Sequence, residues 1–474
     1  MKYFNFGETT YENLPPIFWK KQHPYQFENP QLVIFNYKLA DELGISKELA
    51  NNPHILTGGG EKDGTSRQLL TMAYAGYQFG NFVMLGDGRA ALLGEHIVPG
   101  FDNHTSRYDI QLKGSGRTPF SRGGDGFAAI MPMLREYLIS EYLYAVGIPT
   151  SRSLAVATTG KVVYREKMLK GAVLTRVAKS HLRVGTFDYA ITHGELTDLK
   201  SLSNYAISRH YPQLDNIDNK SERYLTFFKE IVKVQAELIA KWQQIGFVHG
   251  VMNTDNMSIS GESIDFGPCA FLDFYNPNAV FSSIDRQGRY AYKNQVGIAI
   301  WNLTRLAEAL LPLFDNNQEK ALLLAKEQLS GFSKIYSDIW LNDMCYKLGL
   351  DKHDPINLDL VKDFLSIMEK NQLDYTNTFL EIENREGKIF EIKSETIDFL
   401  KKQILNQGSK TRINPFVIPR NQLVEEALQY ANQGDITKFN ELLEVLQNPY
   451  IEPKNKKYMN QPPKEYKCVT FFGT

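Results

Sequence analysis

Three features of the sequence predict a mixed α/β chain folded as two lobes about a cleft. From Gln78 to Ala178 short apolar runs alternate with glycine turns, the pattern of strands. After Lys220 apolar residues recur at helical spacing. Within the helical half lies a stretch, His249 to Gly267, that follows neither period. A length of 474 residues accommodates two or three ordinary domains, or one large two-lobed domain with extensions.

The expected division is an N-terminal extension over 1–75, a strand-rich lobe over 76–180, a helical lobe over 181–350 and a helical C-terminal extension over 351–474. Residues 51–64, NNPHILTGGGEKDG, read as an exposed connector. Residues 81–96 read as a strand, a tight Gly86-Asp87-Gly88 turn and a returning strand. In YDIQLK, Ile110 and Leu112 fall on one face, and Asp109, Gln111 and Lys113 on the other. A helix is expected over 131–149, with Pro132 in its first turn and Gly147 and Pro149 ending it. KVVYRE and GAVLTRVA then read as a hairpin. Phe227, Ile231, Val234, Leu238 and Trp242 mark one face of a helix stopped by Gly246. Further helices are expected over 296–313, 318–349, 421–433 and 436–447.

Composition narrows the function classes. Lys+Arg number 53 against 54 Asp+Glu, so there is no overall basic excess for nucleic acid or a polybasic membrane surface, and neither partner is expected. Three cysteines without a CxxC pair argue against a disulfide scaffold and a structural zinc site. The first residues carry no apolar leader and no Arg-rich presequence, and no uncharged run has the length of a membrane helix. A cytoplasmic protein is the expectation.

The chemistry-bearing residues begin with HGVMNTDN (249–256) followed by IDFG (264–267). Asn256 and Asp265 are hard oxygen ligands of the kind magnesium takes, spaced as the catalytic-loop Asn and DFG Asp of kinases. A kinase places its base five residues before that Asn, where this chain has Val251. The loop's carboxylate is Asp255, which becomes the candidate proton acceptor. Upstream, Lys113 on a strand and Glu136 on the next helix match the kinase ion pair that fixes a lysine on ATP phosphates. Taken singly, each is more often a solvated surface residue. Lys113 opens a basic glycine-rich stretch, KGSGRTPFSRGGDG (113–126), whose backbone N–H groups suit an anion. Arg176 and Arg183 offer two guanidinium forks for phosphate. His181 and His249 read as hydrogen-bonded structural histidines, since no second ligand stands at metal-site spacing. No Walker A pattern is present. Together these predict a protein-kinase-like two-lobed α/β fold that uses ATP.

LGDGRAALLGE, YDIQLKGSGRTPFSRGGDG, LREYLISEYLYAVGIPTSRSL, TRVAKSHLRVGTF, FVHGVMNTDNMSISGESIDFGP and NPFVIPRNQLVEEAL, in this order from about Asn81 onward, strongly resemble the selenoprotein O family. The resemblance implies a pseudokinase-derived fold that moves AMP from ATP to hydroxyl side chains of proteins (Ser, Thr or Tyr), with ATP held in a flipped orientation and pyrophosphate leaving. It implies Asp255 as proton acceptor, Asn256 and Asp265 as ligands of Mg2+ or Mn2+, and Glu136 as the partner of Lys113. Gly86, Gly88, Arg89, Lys113, Asp125, Gly126, Arg176, Arg183 and Asp265 would lie at the nucleotide. Many relatives carry a cysteine or selenocysteine third from the C-terminal end. Here Phe472 takes that place, so the thiol that a redox switch there needs is missing, leaving Cys468 and Cys269. Two other readings stay open: a kinase-like phosphotransferase, and an inactive nucleotide-binding scaffold.

Overall fold

A computed structural model describes residues 3–60, 68–100, 105–350, 356–405, 413–463 and 465–470. The front of the chain supplies β1 (Trp19–Gln22), β2 (Gln31–Phe35), α1 (Tyr37–Leu43), α2 (Pro53–Leu56), β3 (Leu69–Met72), β4 (Ala75–Gln78), β5 (Asn81–Met84), β6 (Ala90–Pro99), β7 (Thr105–Lys113), β8 (Ala128–Ala129), α3 (Ile130–Ala145), β9 (Arg152–Tyr164) and β10 (Met168–Ala178). The main sheet is antiparallel and ordered β1-β3-β6-β7-β10-β9-β2, with β8 added on β10. Its two edges, β1 and β2, come from the first 75 residues, with Trp19 opposite Met72 and Leu32 opposite Ala157. The expected boundary at 75 thus falls inside the sheet. Strands of four and five residues are too short for their alternation to announce a place in it.

One expected hairpin is rearranged. The strands flanking Gly86-Asp87-Gly88 do not pair with each other: β5 pairs with β4, and β6 pairs with β3 and β7. The tight turn is instead at Phe79-Gly80, between β4 and β5. Both residues have positive φ, 52° and 91°, as a two-residue hairpin turn requires. The β9–β10 hairpin forms as expected, but both strands begin earlier, β9 at Arg152 and β10 at Met168.

The back of the chain holds α4 (Val184–His193), α5 (Leu196–His210), α6 (Lys220–Gln244), β11 (Phe247–Val248), β12 (Ala270–Phe271), α7 (Gln295–Phe314), α8 (Gln318–Leu348), α9 (Asn357–Lys370), α10 (Tyr375–Asn384), α11 (Glu395–Leu405), α12 (Asn421–Gln433) and α13 (Thr437–Leu446). Bounds of α7, α8, α12 and α13 agree with the periodic pattern to within a residue, and α6 begins three residues before the periodic run that opens at Arg223. The main core joins the inner side of the sheet through α3 to α4, α6, α7 and the C-terminal pair α12–α13. By length and mean hydropathy alone Tyr292–Phe314 is apolar enough to cross a membrane. Its apolar character is that of a core helix, for Ala299, Leu303, Leu306 and Leu310 are buried where α7 packs on α4, α6 and α8. This is the mixed α/β architecture that the sequence predicts, a sheet-bearing front and a helical back.

On β7 the alternation holds, with a difference. Ile110 and Leu112 enter a separate core with Leu39 of α1 and Leu56 of α2. Asp109, Gln111 and Lys113, on the polar face, are buried too. That face is the inner wall of the cleft side, where polar groups are tolerated because they pair.

One buried carboxyl makes stability pH-dependent. Glu262 accepts from Lys179 N and Ser260 Oγ, both at 2.9 Å, and burial pushes it from its ordinary 4.5 up to about 7. Across that window the folded chain keeps a proton that the unfolded chain has released, so ionisation there destabilises the fold as pH rises. Glu262→Gln should therefore gain Tm relative to the parent between about pH 5 and 8. A Tm difference flat with pH would show that this carboxyl titrates normally.

Candidate active site

Lys113 is the last residue of β7, and Glu136 lies in the second turn of α3. Lys113 Nζ donates to Glu136 Oε2 at 2.5 Å and to Asp265 Oδ1 at 2.7 Å. Arg176, on β10 opposite Gln111, reaches the same two carboxylates: Glu136 Oε1 at 3.1 Å and Asp265 Oδ1 at 2.8 Å. Arg183, at the N-cap of α4, donates to Asp265 Oδ2 and to the Asp255 carbonyl, each at 2.5 Å. Its guanidinium lies over the Tyr74 ring, 4.7 Å from the centroid. The two arginines are 1% and 2% exposed, which removes the surface reading for both.

Three cations therefore converge on one carboxylate. Burial alone would raise the Asp265 carboxyl, but the charges of Lys113, Arg176 and Arg183 outweigh it and hold the group well below the usual range. Asp265 also has φ 61°, a left-handed backbone that non-glycine residues adopt only where the surroundings impose it. The helix bearing Glu136 is braced from the far end of the chain. Arg135 pairs with Glu425 of α12 at 2.5 Å and donates to the Cys269 carbonyl at 2.7 Å.

Asp255 and Asn256 stand in a single 3-10 turn, Thr254–Asn256. Burial pushes Asp255 up to about 7, against the pull of Arg183. Its carboxylate accepts from Gln78 Nε2 at 3.1 and 3.2 Å. Asn256 Nδ2 donates to the Val251 carbonyl at 3.0 Å, which leaves Oδ1 as the amide's donor atom for a cation. Val251 itself is buried and apolar. His249 donates from Nε2 to the Ile264 carbonyl at 2.8 Å, tying the two motifs together, and His181 is bonded to Asp109, so both histidines are structural.

These groups line a cavity of about 180 Å³. Gly88, Arg89, Lys113, Arg176, Arg183, Asp255, Asn256 and Asp265 border it, with Glu136 directly behind Lys113 and Arg176. Three nominated residues stand off its walls. Gly86 packs beside the Phe120 ring, and Gly126, at φ 72°, sits so close to the Gly116 carbonyl that a Cβ would meet it at 2.1 Å. Asp125 makes a two-pronged ion pair with Arg165, at 2.8 and 3.0 Å, in the glycine-rich loop. A larger hollow of about 690 Å³ between Tyr3–Asn5 and Ala40–Glu48 contains none of the nominated residues, so chemistry and not size selects the cleft.

Sequence reasoning missed Tyr74, Gln78, Asp87 and Asn253, which also border the cavity. Asp87 lies between two nominated glycines and Asn253 two residues before Asp255, so proximity to motifs could have flagged both. Asp87 accepts from Met72 N and Gln111 Nε2, and burial pushes it up to about 6. Tyr74 and Gln78 carry no signal in the sequence. Cys269 is buried and Cys468 half-buried, both as free thiols that burial pushes up to about 12. Phe472 lies outside the described residues.

Residues 4–447 match the family model described as protein adenylyltransferase SelO. A relative in Clostridium perfringens (strain SM101 / Type A), described as protein nucleotidyltransferase YdiU, is 50% identical over 98% of this chain and 97% of its own length. One of the same description in Clostridium botulinum (strain Okra / Type B1) is 48% identical with the same coverage. Among solved structures, the Toxoplasma gondii specific rhoptry antigen kinase domain aligns with 62% of this chain and 87% of its own at TM-score 0.23 and 11% identity.

Proposed function

Since the chain belongs to the protein adenylyltransferase SelO family and is a nucleotidyltransferase, we propose that it transfers AMP from ATP to Ser, Thr or Tyr hydroxyls of proteins. The acceptor oxygen attacks the α-phosphorus, the bond from that phosphorus to the bridging oxygen of the β-phosphate breaks, and pyrophosphate leaves with the electron pair. Asp255 takes the hydroxyl proton. Lys113, Arg176 and Arg183 stabilise the charge gathering on pyrophosphate, and Glu136 keeps Lys113 and Arg176 aimed. Gly88 and Arg89 border the nucleotide, while Gly86, Asp125 and Gly126 shape the glycine-rich segments around it.

The observation that carries the proposal is the pairing of an intact phosphate-handling cluster with a buried valine at position 251. A γ-phosphoryl transferase needs a proton acceptor there, whereas Asp255, four residues on, is a carboxylate at the cavity wall.

Asn256 and Asp265 bring two hard oxygen donors, which suits Mg2+ or Mn2+ held jointly with substrate phosphates. Among the described residues no group of three His, Cys, Asp or Glu side chains is placed to hold a metal alone, consistent with a cation that arrives with the nucleotide. When bound, the ion would neutralise phosphate charge.

Incubation with α-labelled and γ-labelled ATP in parallel tests the proposal. Covalent label on protein from the α-labelled nucleotide, with a mass increment of one AMP, is expected. Label from the γ-position alone would make the chain a kinase, and none from either would make it a scaffold.

A further inference from the structure

The β4–β5 hairpin has no part in the scheme above, yet it runs along the loop that carries Asp255. Three successive hairpin residues contact three residues of that loop. Tyr77 N donates to Thr254 Oγ1 at 3.3 Å, Gln78 Nε2 to both Asp255 oxygens, and Phe79 N to Asn253 Oδ1 at 3.2 Å. The approach is so close at Gly76 that a Cβ there would lie 2.2 Å from Asp255 Oδ1, so only glycine admits it. The hairpin is held from outside by aromatic contacts, Tyr77 edge-on to Trp301 at 5.3 Å and Phe79 to Tyr290 at 5.2 Å. Tyr290 in turn donates its hydroxyl to Asn253 Oδ1.

We propose that Gln78 is a positioning residue for AMP transfer, its amide holding the Asp255 carboxylate in the orientation that receives the acceptor hydroxyl. The proposal rests on Asp255 being the proton acceptor. A carboxylate turns freely about its Cβ–Cγ bond unless tethered, and the Gln78 amide, with Nε2 3.1 and 3.2 Å from the two oxygens, is the side chain that ties this one to the hairpin. The tether also decides a competition. Arg183 already holds the Asp255 carbonyl, and among the described residues its Nε has no hydrogen-bond partner. Freed from Gln78, the carboxylate has that guanidinium as a stronger, charge-assisted partner, and a base locked in such a pair is lost to the acceptor. Gln78 accepts that role without adding charge, and a carboxylate has lone pairs enough to bind the amide and the incoming hydroxyl together.

The test uses Gln78→Met, similar in length but without the N–H donors, alone and combined with Asp255→Asn. In the full chain Gln78→Met should lower kcat roughly tenfold to a hundredfold, the scale of a misplaced catalytic group, with KM for ATP and Tm near those of the parent. In the Asp255→Asn background the same change should have little further effect, because Gln78 acts through that carboxylate. An unchanged kcat, a rise confined to KM, or a full additional loss in the Asp255→Asn background would overturn the role of Gln78. If Asp255→Asn alone keeps parental activity, the assignment of the proton acceptor falls instead, and Gln78 with it.

Discussion

Replacing Asp265 by alanine should remove at least about a thousandfold of the AMP-transfer activity and leave ATP binding indifferent to Mg2+. The reason lies in how many charges meet there. Lys113, Arg176 and Arg183 all donate to this one carboxylate, and the first two also share Glu136. Deleting the carboxylate removes a proposed metal ligand and strands three buried cations with one anion between them. Breaking a buried ion pair from one side costs about 3–5 kcal/mol, so the nucleotide-free variant should also melt lower than the parent. ATP should recover part of that loss, since its phosphates supply the missing negative charge. Calorimetric titration of ATP in Mg2+ and in EDTA, together with α-label transfer, reads both effects. Parental transfer, or a Mg2+ response equal to the parent's, would take Asp265 out of the site.

Asp255→Asn should have the second largest effect and a different signature. The amide keeps the shape of the side chain and an oxygen for Gln78 but cannot take a proton at neutral pH. Loss of a positioned general base costs about 10²–10⁴-fold, so kcat should fall by that order. ATP affinity should change little, because the cations that meet at Asp265 stay in place. Activity within a few-fold of the parent would show that another group, or water, accepts the proton.

Much of this site was legible along the chain because its motifs are local. HGVMNTDN and IDFG each occupy one short loop, and the lysine and glutamate sit on a strand and a helix whose periods are clear in sequence. The long helices were legible for the same reason: a 25-residue element such as α6 repeats its apolar face often enough to define its own ends. Arg176 and Arg183 were harder. In sequence each resembles a surface arginine, and only pairing of β10 with β7 and the placement of α4 against the Asp265 loop bury them on one carboxylate. The polar face of β7 posed the same problem, because alternation distinguishes two faces without saying which of them meets water.

By itself, then, the sequence determined the mixed α/β class and singled out Lys113 and Glu136, which pair in the structure, and it nominated Asp255, Asn256 and Asp265 as candidates. The tertiary structure alone decided which strands meet: that β1 and β2 edge the main sheet, that β5 turns back on β4 and not toward β6, and that Gln78 reaches Asp255 across 177 residues of chain. It also decided that α12, from the far end, braces the helix carrying Glu136. The physical reason is one of range. Hydrophobic period, turn chemistry and motif spacing are properties of neighbouring residues, whereas strand partners and buried ion pairs are chosen by a packed core that no short window of sequence contains.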